Sequence, residues 1–155
     1  MSGAARGARP SGRPAQSFLA FDYGLKRTGV ASGNLVFGMA TPLTTVAAEG
    51  EARFPLIAKL IAEWHPVQLV VGLPTNADGT PHEMTRLAQK FAERLKRRYH
   101  LPVAFADERL TSLDAEARLR ETGRDSRAAR PLLDAVAAQL ILQTWFESPH
   151  HVTPS

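Results

Sequence analysis

The chain predicts an α/β fold, a five-stranded mixed sheet flanked by helices in one domain. Three observations carry this reading. Strand-like and helix-like patterns alternate across 18–147. The length of 155 residues is close to the roughly 150 expected of one domain. The composition, 44% hydrophobic and 22% charged, is ordinary globular usage. A chain of this size buries close to 70% of its unfolded surface and needs no crosslinks.

The elements follow in order. Residues 1–17 are rich in Gly, Ala, Pro, Ser and Arg, cannot bury enough apolar area to fold, and are expected to be a disordered tail. They contain no apolar stretch of the signal-peptide kind, and their Gly and Pro residues oppose an amphipathic transit helix. Phe18-Leu-Ala-Phe-Asp22 is a short apolar run, read as a buried strand. Thr28 to Ser32 and Leu35 to Thr41 follow across short Gly-containing turns, predicting a three-strand meander. Glu51 to Trp64 shows helical spacing, with Phe54, Ile57, Leu60, Ile61 and Trp64 on one side. Val67-Gln-Leu-Val-Val-Gly72 is a second buried strand. Met84, Leu87, Ala88, Phe91 and Leu95 mark a helix ending near Tyr99. Pro102 to Ala106 is a strand. Thr111, with Asp114 three residues on, reads as a capping box opening a helix that Gly123 closes. Pro131 suits the first turn of a last helix running to about Phe146. Residues 148–155 are expected to be a second tail. Strands joined through helices should be parallel, with right-handed crossovers.

Composition removes several function classes. The chain has no cysteine, which excludes disulfide scaffolds, zinc ribbons, iron–sulfur clusters and cysteine nucleophiles. No apolar run approaches the roughly 20 residues of a membrane span. The net charge is +4 from 19 basic and 15 acidic residues. Arg6, Arg9 and Arg13 lie in the N-terminal tail, so taking those three away leaves 16 basic against 15 acidic residues in the body. The overall basicity is thus weak ground for nucleic-acid binding by the folded part. Phosphate loops of the Gly-x-x-x-x-Gly-Lys kind, dinucleotide fingerprints and Gly-x-Ser-x-Gly elbows are absent. His65, His82, His100, His150 and His151 show no metal-ligand spacing; His82 could act near the adjoining loop but reads better as a surface residue.

Ligands of open α/β sheets gather at the carboxyl ends of the strands, and polar residues follow the apolar runs there. The first strand ends in Asp22-Tyr-Gly-Leu-Lys-Arg-Thr-Gly29, the second parallel one in Gly72-Leu-Pro-Thr-Asn-Ala-Asp-Gly79, the third in Asp107-Glu-Arg-Leu-Thr111. An acid at the end of a buried strand is costly unless paired or metal-bound. Asp22 therefore either ligates a metal, pairs with Lys26 or Arg27, or caps the following turn. Glu108 either ligates or leads into a helix, where acids suit the dipole. Asp134 either ligates or stabilises the first turn of the last helix. Three acids able to converge on one sheet edge suit a hard cation such as Mg²⁺ or Mn²⁺. A pair of such ions about 4 Å apart can clamp a phosphodiester. Arg27 and Arg109 could hold phosphate oxygens or pair with the same acids. Asn76, Asp78 and Thr80 lie in a Gly-flanked loop that could position a nucleic-acid backbone or be an ordinary turn.

Four stretches resemble the YqgF family, also called RuvX, of RNase H-like nucleases. They are Phe21-Asp-Tyr-Gly-Leu-Lys-Arg-Thr-Gly-Val-Ala31, Val70-Val-Gly-Leu-Pro-Thr-Asn-Ala-Asp-Gly79, Asp107-Glu-Arg-Leu-Thr-Ser-Leu-Asp-Ala-Glu116 and Leu133-Asp-Ala-Val-Ala-Ala-Gln-Leu-Ile-Leu-Gln143. They occur in family order and span nearly everything between the tails. The resemblance implies an RNase H-like fold and a cytoplasmic bacterial protein that processes the precursor of 16S ribosomal RNA, with kinship to Holliday-junction resolvases. It places the family's catalytic and metal-binding acids on Asp22, Glu108 and Asp134, holding two Mg²⁺ or Mn²⁺ ions. Lys26, Arg27, Asn76, Arg109 and Arg130 are the expected nucleic-acid contacts. The family often carries Lys before its last acid, where this chain has Arg127 and Arg130. Expected partners are structured RNA or branched DNA and no membrane, with monomer and homodimer both open. Two rivals remain. Asp22-Tyr-Gly with Thr28-Gly29 also resembles the first phosphate loop of sugar-kinase and actin-like ATPases, but those need two such domains. A non-catalytic nucleic-acid-binding regulator is the other, against which the presence of all three acids argues.

Overall fold

The computed structural model describes residues 17–74, 82–107 and 126–147, the backbone alone at 107 and 126–131. Its elements are β1 (Ser17–Tyr23), β2 (Thr28–Asn34), β3 (Met39–Val46), a 3-10 turn (Gly50–Ala52), α1 (Arg53–Trp64), β4 (Gln68–Leu73), α2 (Glu83–Tyr99), β5 (Val103–Asp107) and α3 (Ser126–Glu147). The helix expected between Thr111 and Gly123 lies outside the described residues.

The sheet has the order β3-β2-β1-β4-β5. β2 is antiparallel to β1 and to β3, because a short loop joins each pair. β1, β4 and β5 are parallel, because helices return the chain between them. This is the five-stranded mixed sheet expected of an RNase H-like fold. All three parallel strands end on one edge, where Leu73 pairs with Asp107.

Side chains alternate between the two faces with the strand period of two. Leu19, Phe21, Val30, Leu69 and Val71 meet Phe54 and Ile57 of α1 and Ala88, Phe91, Ala92 and Leu95 of α2. Phe18, Ala20, Ala40, Val70 and Ala106 face the other way and meet Ile141, Leu142, Trp145 and Phe146 of α3. Each fully buried Leu, Ile or Phe side chain contributes about 1.5–3 kcal/mol. Two cores thus clamp the sheet from both sides, and α3 alone covers the second one among the described residues.

Two expectations are corrected. Leu35 does not open a strand. Residues 35–38 are a turn: the Val36 N–H donates to Asn34 Oδ1, the Gly38 N–H to Asn34 O, and Gly38 has a φ of +64° that suits glycine. β3 begins at Met39 and runs to Val46. The apolar run misled because Val36 and Phe37 are exposed, at 65% and 75%. β3 carries Pro42 at a register shift opposite Val30 and Ala31, which an edge strand tolerates. Pro131 does not sit in the first turn either. α3 begins at Ser126, so Pro131 is its sixth residue. That position lies past the four whose N–H groups lack helical partners, so the ring forgoes one helical hydrogen bond.

α3 also ties down the edge strand. The Ala40 N–H donates to Gln143 Oε1 at 3.0 Å, Gln143 Nε2 donates to Gly38 O at 2.8 Å, and Gln139 Nε2 donates to Ala40 O at 3.1 Å. Gln143→Leu should therefore destabilise the fold by about 1–3 kcal/mol through the stranded backbone groups. In urea unfolding the midpoint falls with an unchanged slope. An unshifted midpoint would show that these bonds are replaced by solvent at no cost.

Candidate active site

The last residues of β1 carry the first candidate acid. Asp22 pairs across the sheet with Gly29 of β2, which sets their Cα atoms about 4.5–5.5 Å apart. By strand alternation Asp22 lies on the face of Phe18 and Ala20, the face that α3 covers. α3 touches β2 at Gly29: a Cβ built there would overlap the Asp134 backbone carbonyl and lie 3.0 Å from Asp134 Cβ. A glycine hydrogen thus sets how closely the helix approaches. Asp22 and Asp134, near opposite ends of the folded chain, both neighbour Gly29.

Asp134 is the ninth residue of α3, and no acid stands in the first turn of that helix. The reading of Asp134 as a first-turn dipole partner is therefore overturned. Its carboxylate accepts from Arg27 Nε at 2.7 Å, with the side chains 19% and 31% exposed. Arg27 is thus an ion-pair partner of one candidate acid. A pair this accessible is worth on the order of 1 kcal/mol, so it can exchange with another charged group without unfolding the site. Lys26 is exposed on the same loop.

Glu108, Asn76 and Arg109 lie outside the described residues, as does the side chain of Arg130. Glu108 directly follows Asp107, the last residue of β5. Asn76 is two residues beyond Pro74, whose carbonyl accepts the Thr85 hydroxyl at the start of α2. His82 is the N-cap of that helix: its Nδ1 accepts from the Met84 N–H at 3.1 Å, and its own N–H donates to Thr85 Oγ1 at 3.0 Å. The surface reading of His82 missed this cap.

Among the described residues no cluster of three or more His, Asp or Glu could hold a metal ion. The two acids that neighbour Gly29 are carboxylate oxygen donors in a chain without sulfur ligands from cysteine, and this donor chemistry fits a hard divalent cation.

Sequence reasoning assigned nothing to Arg53, the first residue of α1. It is 2% exposed. Its Nη1 donates to Gly24 O and to Thr28 Oγ1, both at 2.9 Å, its Nη2 to Leu25 O at 2.8 Å, and its Nε to Gly50 O at 3.2 Å. The guanidinium carbon lies 4.6 Å from the Tyr23 ring centroid. The readable signal was its spacing: Arg53 stands four residues before Ile57, in the apolar stripe of α1, where a charge is out of place.

The sequence profile described as "RuvX: Holliday junction resolvase" matches residues 16–148. A protein of Dechloromonas aromatica (strain RCB) named "Putative pre-16S rRNA nuclease" is 75% identical over 138 residues, covering 88% of this chain and 94% of the relative. One of the same name from Thiobacillus denitrificans (strain ATCC 25259 / T1) is 56% identical over 131 residues, covering 84% and 90%. Among solved structures, the T. thermophilus RuvC in complex with Holliday junction substrate aligns with a TM-score of 0.49 at 15% identity, covering 84% of this chain and 93% of that one.

Proposed function

The chain belongs to the RuvX family, and on that premise we propose that it is a nuclease that hydrolyses phosphodiester bonds of structured RNA, trimming the 5′ end of pre-16S rRNA in the cytoplasm. The observation that carries the mechanism is the seating of Asp134 on Gly29, the cross-strand partner of Asp22. It supports a reading in which both acids serve the sheet edge where ligands of such folds bind. The names of the relatives supply the substrate class.

Asp22 and Asp134, with Glu108, the residue that follows β5 in sequence, are the residues proposed to hold two Mg²⁺ or Mn²⁺ ions. Such ions activate water and stabilise the leaving oxygen. The chain's own groups do the rest. Arg27 neutralises Asp134 in the free protein, so the site does not carry the full repulsion of adjacent carboxylates before substrate arrives. Lys26, which is exposed, is proposed to meet a phosphate. Asn76, Arg109 and Arg130 are proposed as further contacts to the backbone, which carries no sequence information itself. Cleavage position then depends on RNA shape.

The family's description favours a second reading, a resolvase acting on four-way DNA junctions. One assay separates the two: the full chain with Mg²⁺ or Mn²⁺ on a labelled pre-16S rRNA 5′ leader and on a four-way junction. Discrete shortening of the RNA leader is the expected result. Cleavage of the junction alone would transfer the assignment to DNA. Binding of either without cleavage would leave a regulator.

A further inference from the structure

We propose that Arg53 is a positioning residue for the active site, a buried clamp that holds the loop between β1 and β2 in the shape that presents Arg27 to Asp134. The inference rests on the nuclease reading for its consequence and on geometry alone for its contacts.

That loop is residues 24–27, between Asp22-Tyr23 and Thr28-Gly29. Three of the four acceptors of Arg53 belong to it or to its exit: Gly24 O, Leu25 O and Thr28 Oγ1. Tyr23 stacks under the guanidinium at 4.6 Å, and Phe91 stands 6.0 Å from it. The fourth bond, to Gly50 O, anchors the fork to the turn before α1. A planar guanidinium directs its donors along fixed directions and can join these segments at once; an ammonium is a point donor on a flexible stem.

Burying a cation is unfavourable unless it is compensated. A side chain that only filled this space would be apolar, since apolar replacements of buried charges are often neutral or stabilising. A cation spent on two loop carbonyls and a hydroxyl instead determines backbone shape. The loop it shapes bears Lys26 and Arg27, and Arg27 reaches across to Asp134 on the opposite face of the sheet. Arg53 itself lies on the side of α1 and α2 and acts only through the loop.

The test uses the full chain with Arg53→Met, Arg53→Lys and Thr28→Val, the last removing one acceptor while leaving the arginine. Two readouts are taken. One is hydrogen exchange of the Arg27 Nε–H resonance in NMR spectra, assigned by its disappearance in Arg27→Lys. The other is kcat and KM on the pre-16S rRNA leader. In folded Arg53→Met and Arg53→Lys, the Nε–H should exchange at least about tenfold faster, as expected of a segment that opens locally. Their kcat should fall about 10- to 100-fold with KM within about twofold, as for a misplaced but unremoved group. Thr28→Val should move both readouts the same way by less, and it decides the matter if the Arg53 variants do not fold. Wild-type exchange in these variants overturns the clamp. Faster exchange with unchanged kcat overturns its role in the reaction. If the wild type cleaves no RNA, the nuclease reading fails while the exchange data still decide the clamp.

Discussion

Asp22→Asn is expected to lower cleavage about 10³-fold or more, equivalent to roughly 4 kcal/mol of transition-state stabilisation, without unfolding the protein. The substitution keeps size and one acceptor oxygen, turns the other into an amide donor, and removes one charge at the end of β1. A purely structural role would have Asp22 neutralise the loop cations. Arg27 has Asp134 as its partner at 2.7 Å, so loss of Asp22 does not by itself strand that guanidinium. Nearby carboxylates at an effective dielectric near 20 repel by on the order of 1 kcal/mol; Arg27 offsets part of this at Asp134, and removing the Asp22 charge is expected to relieve the rest. The chelated mutant should therefore melt at or above the wild-type temperature. Millimolar Mg²⁺ or Mn²⁺ should stabilise the wild type, by about 2.7 kcal/mol at a hundredfold excess over Kd, which is about 5–10 °C for a chain this long. The mutant should gain less. A large loss of stability for Asp22→Asn in chelator, with no response of the wild type to metal, would remove the catalytic assignment of this residue.

Gly29→Ala should destabilise the fold by about 3 kcal/mol or more, at the top of the range for overpacking, and abolish cleavage as well. The added methyl meets the Asp134 backbone, not the end of a flexible side chain. Relief requires α3 to move off the sheet, taking Asp134 away from Asp22 and opening the core of Ile141, Leu142, Trp145 and Phe146. The melting temperature should drop by about 6–12 °C. Gly33→Ala is the control. Its methyl would meet Leu142 Cδ2 at 2.7 Å, Phe146 Cε2 at 2.9 Å and Met39 O at 3.0 Å, at the end of β2 remote from Asp22. It should cost stability while sparing kcat more than Gly29→Ala does. Equal activity of Gly29→Ala and wild type would refute the close approach as the device that assembles the site.

Local pattern determined much of this protein. The run Phe18 to Asp22, the helical spacing from Phe54 to Trp64 and that from Met84 to Leu95 each state a period, and a period is a property of neighbours in sequence. The acids at strand ends were legible for the same reason, since Asp22 interrupts a run that is otherwise buried. Local signals also misled where exposure mattered. Leu35 to Phe37 are apolar yet form a turn, because Asn34 and Gly38 close it; Leu35 packs against the α3-side core while Val36 and Phe37 stay exposed. Pro131 resembles a helix start yet lies inside α3, where packing of the following residues outweighs one lost hydrogen bond.

What only the tertiary structure decided is which of these residues meet. Whether Asp134 lies near Asp22 depends on where a helix crosses a strand, and that is set by the missing side chain of Gly29, not by anything adjacent to either acid. Sequence alone offered Arg27 only the acids of its own neighbourhood; the helix brought Asp134 to it from 107 residues away. Arg53 has no meaning in the sequence beyond a charge in an apolar stripe, because three of its four acceptors are two backbone carbonyls and a hydroxyl 25 to 29 residues earlier. Such contacts depend on long-range packing, where the free energy of burial is shared among many residues and leaves no mark on any short stretch of chain.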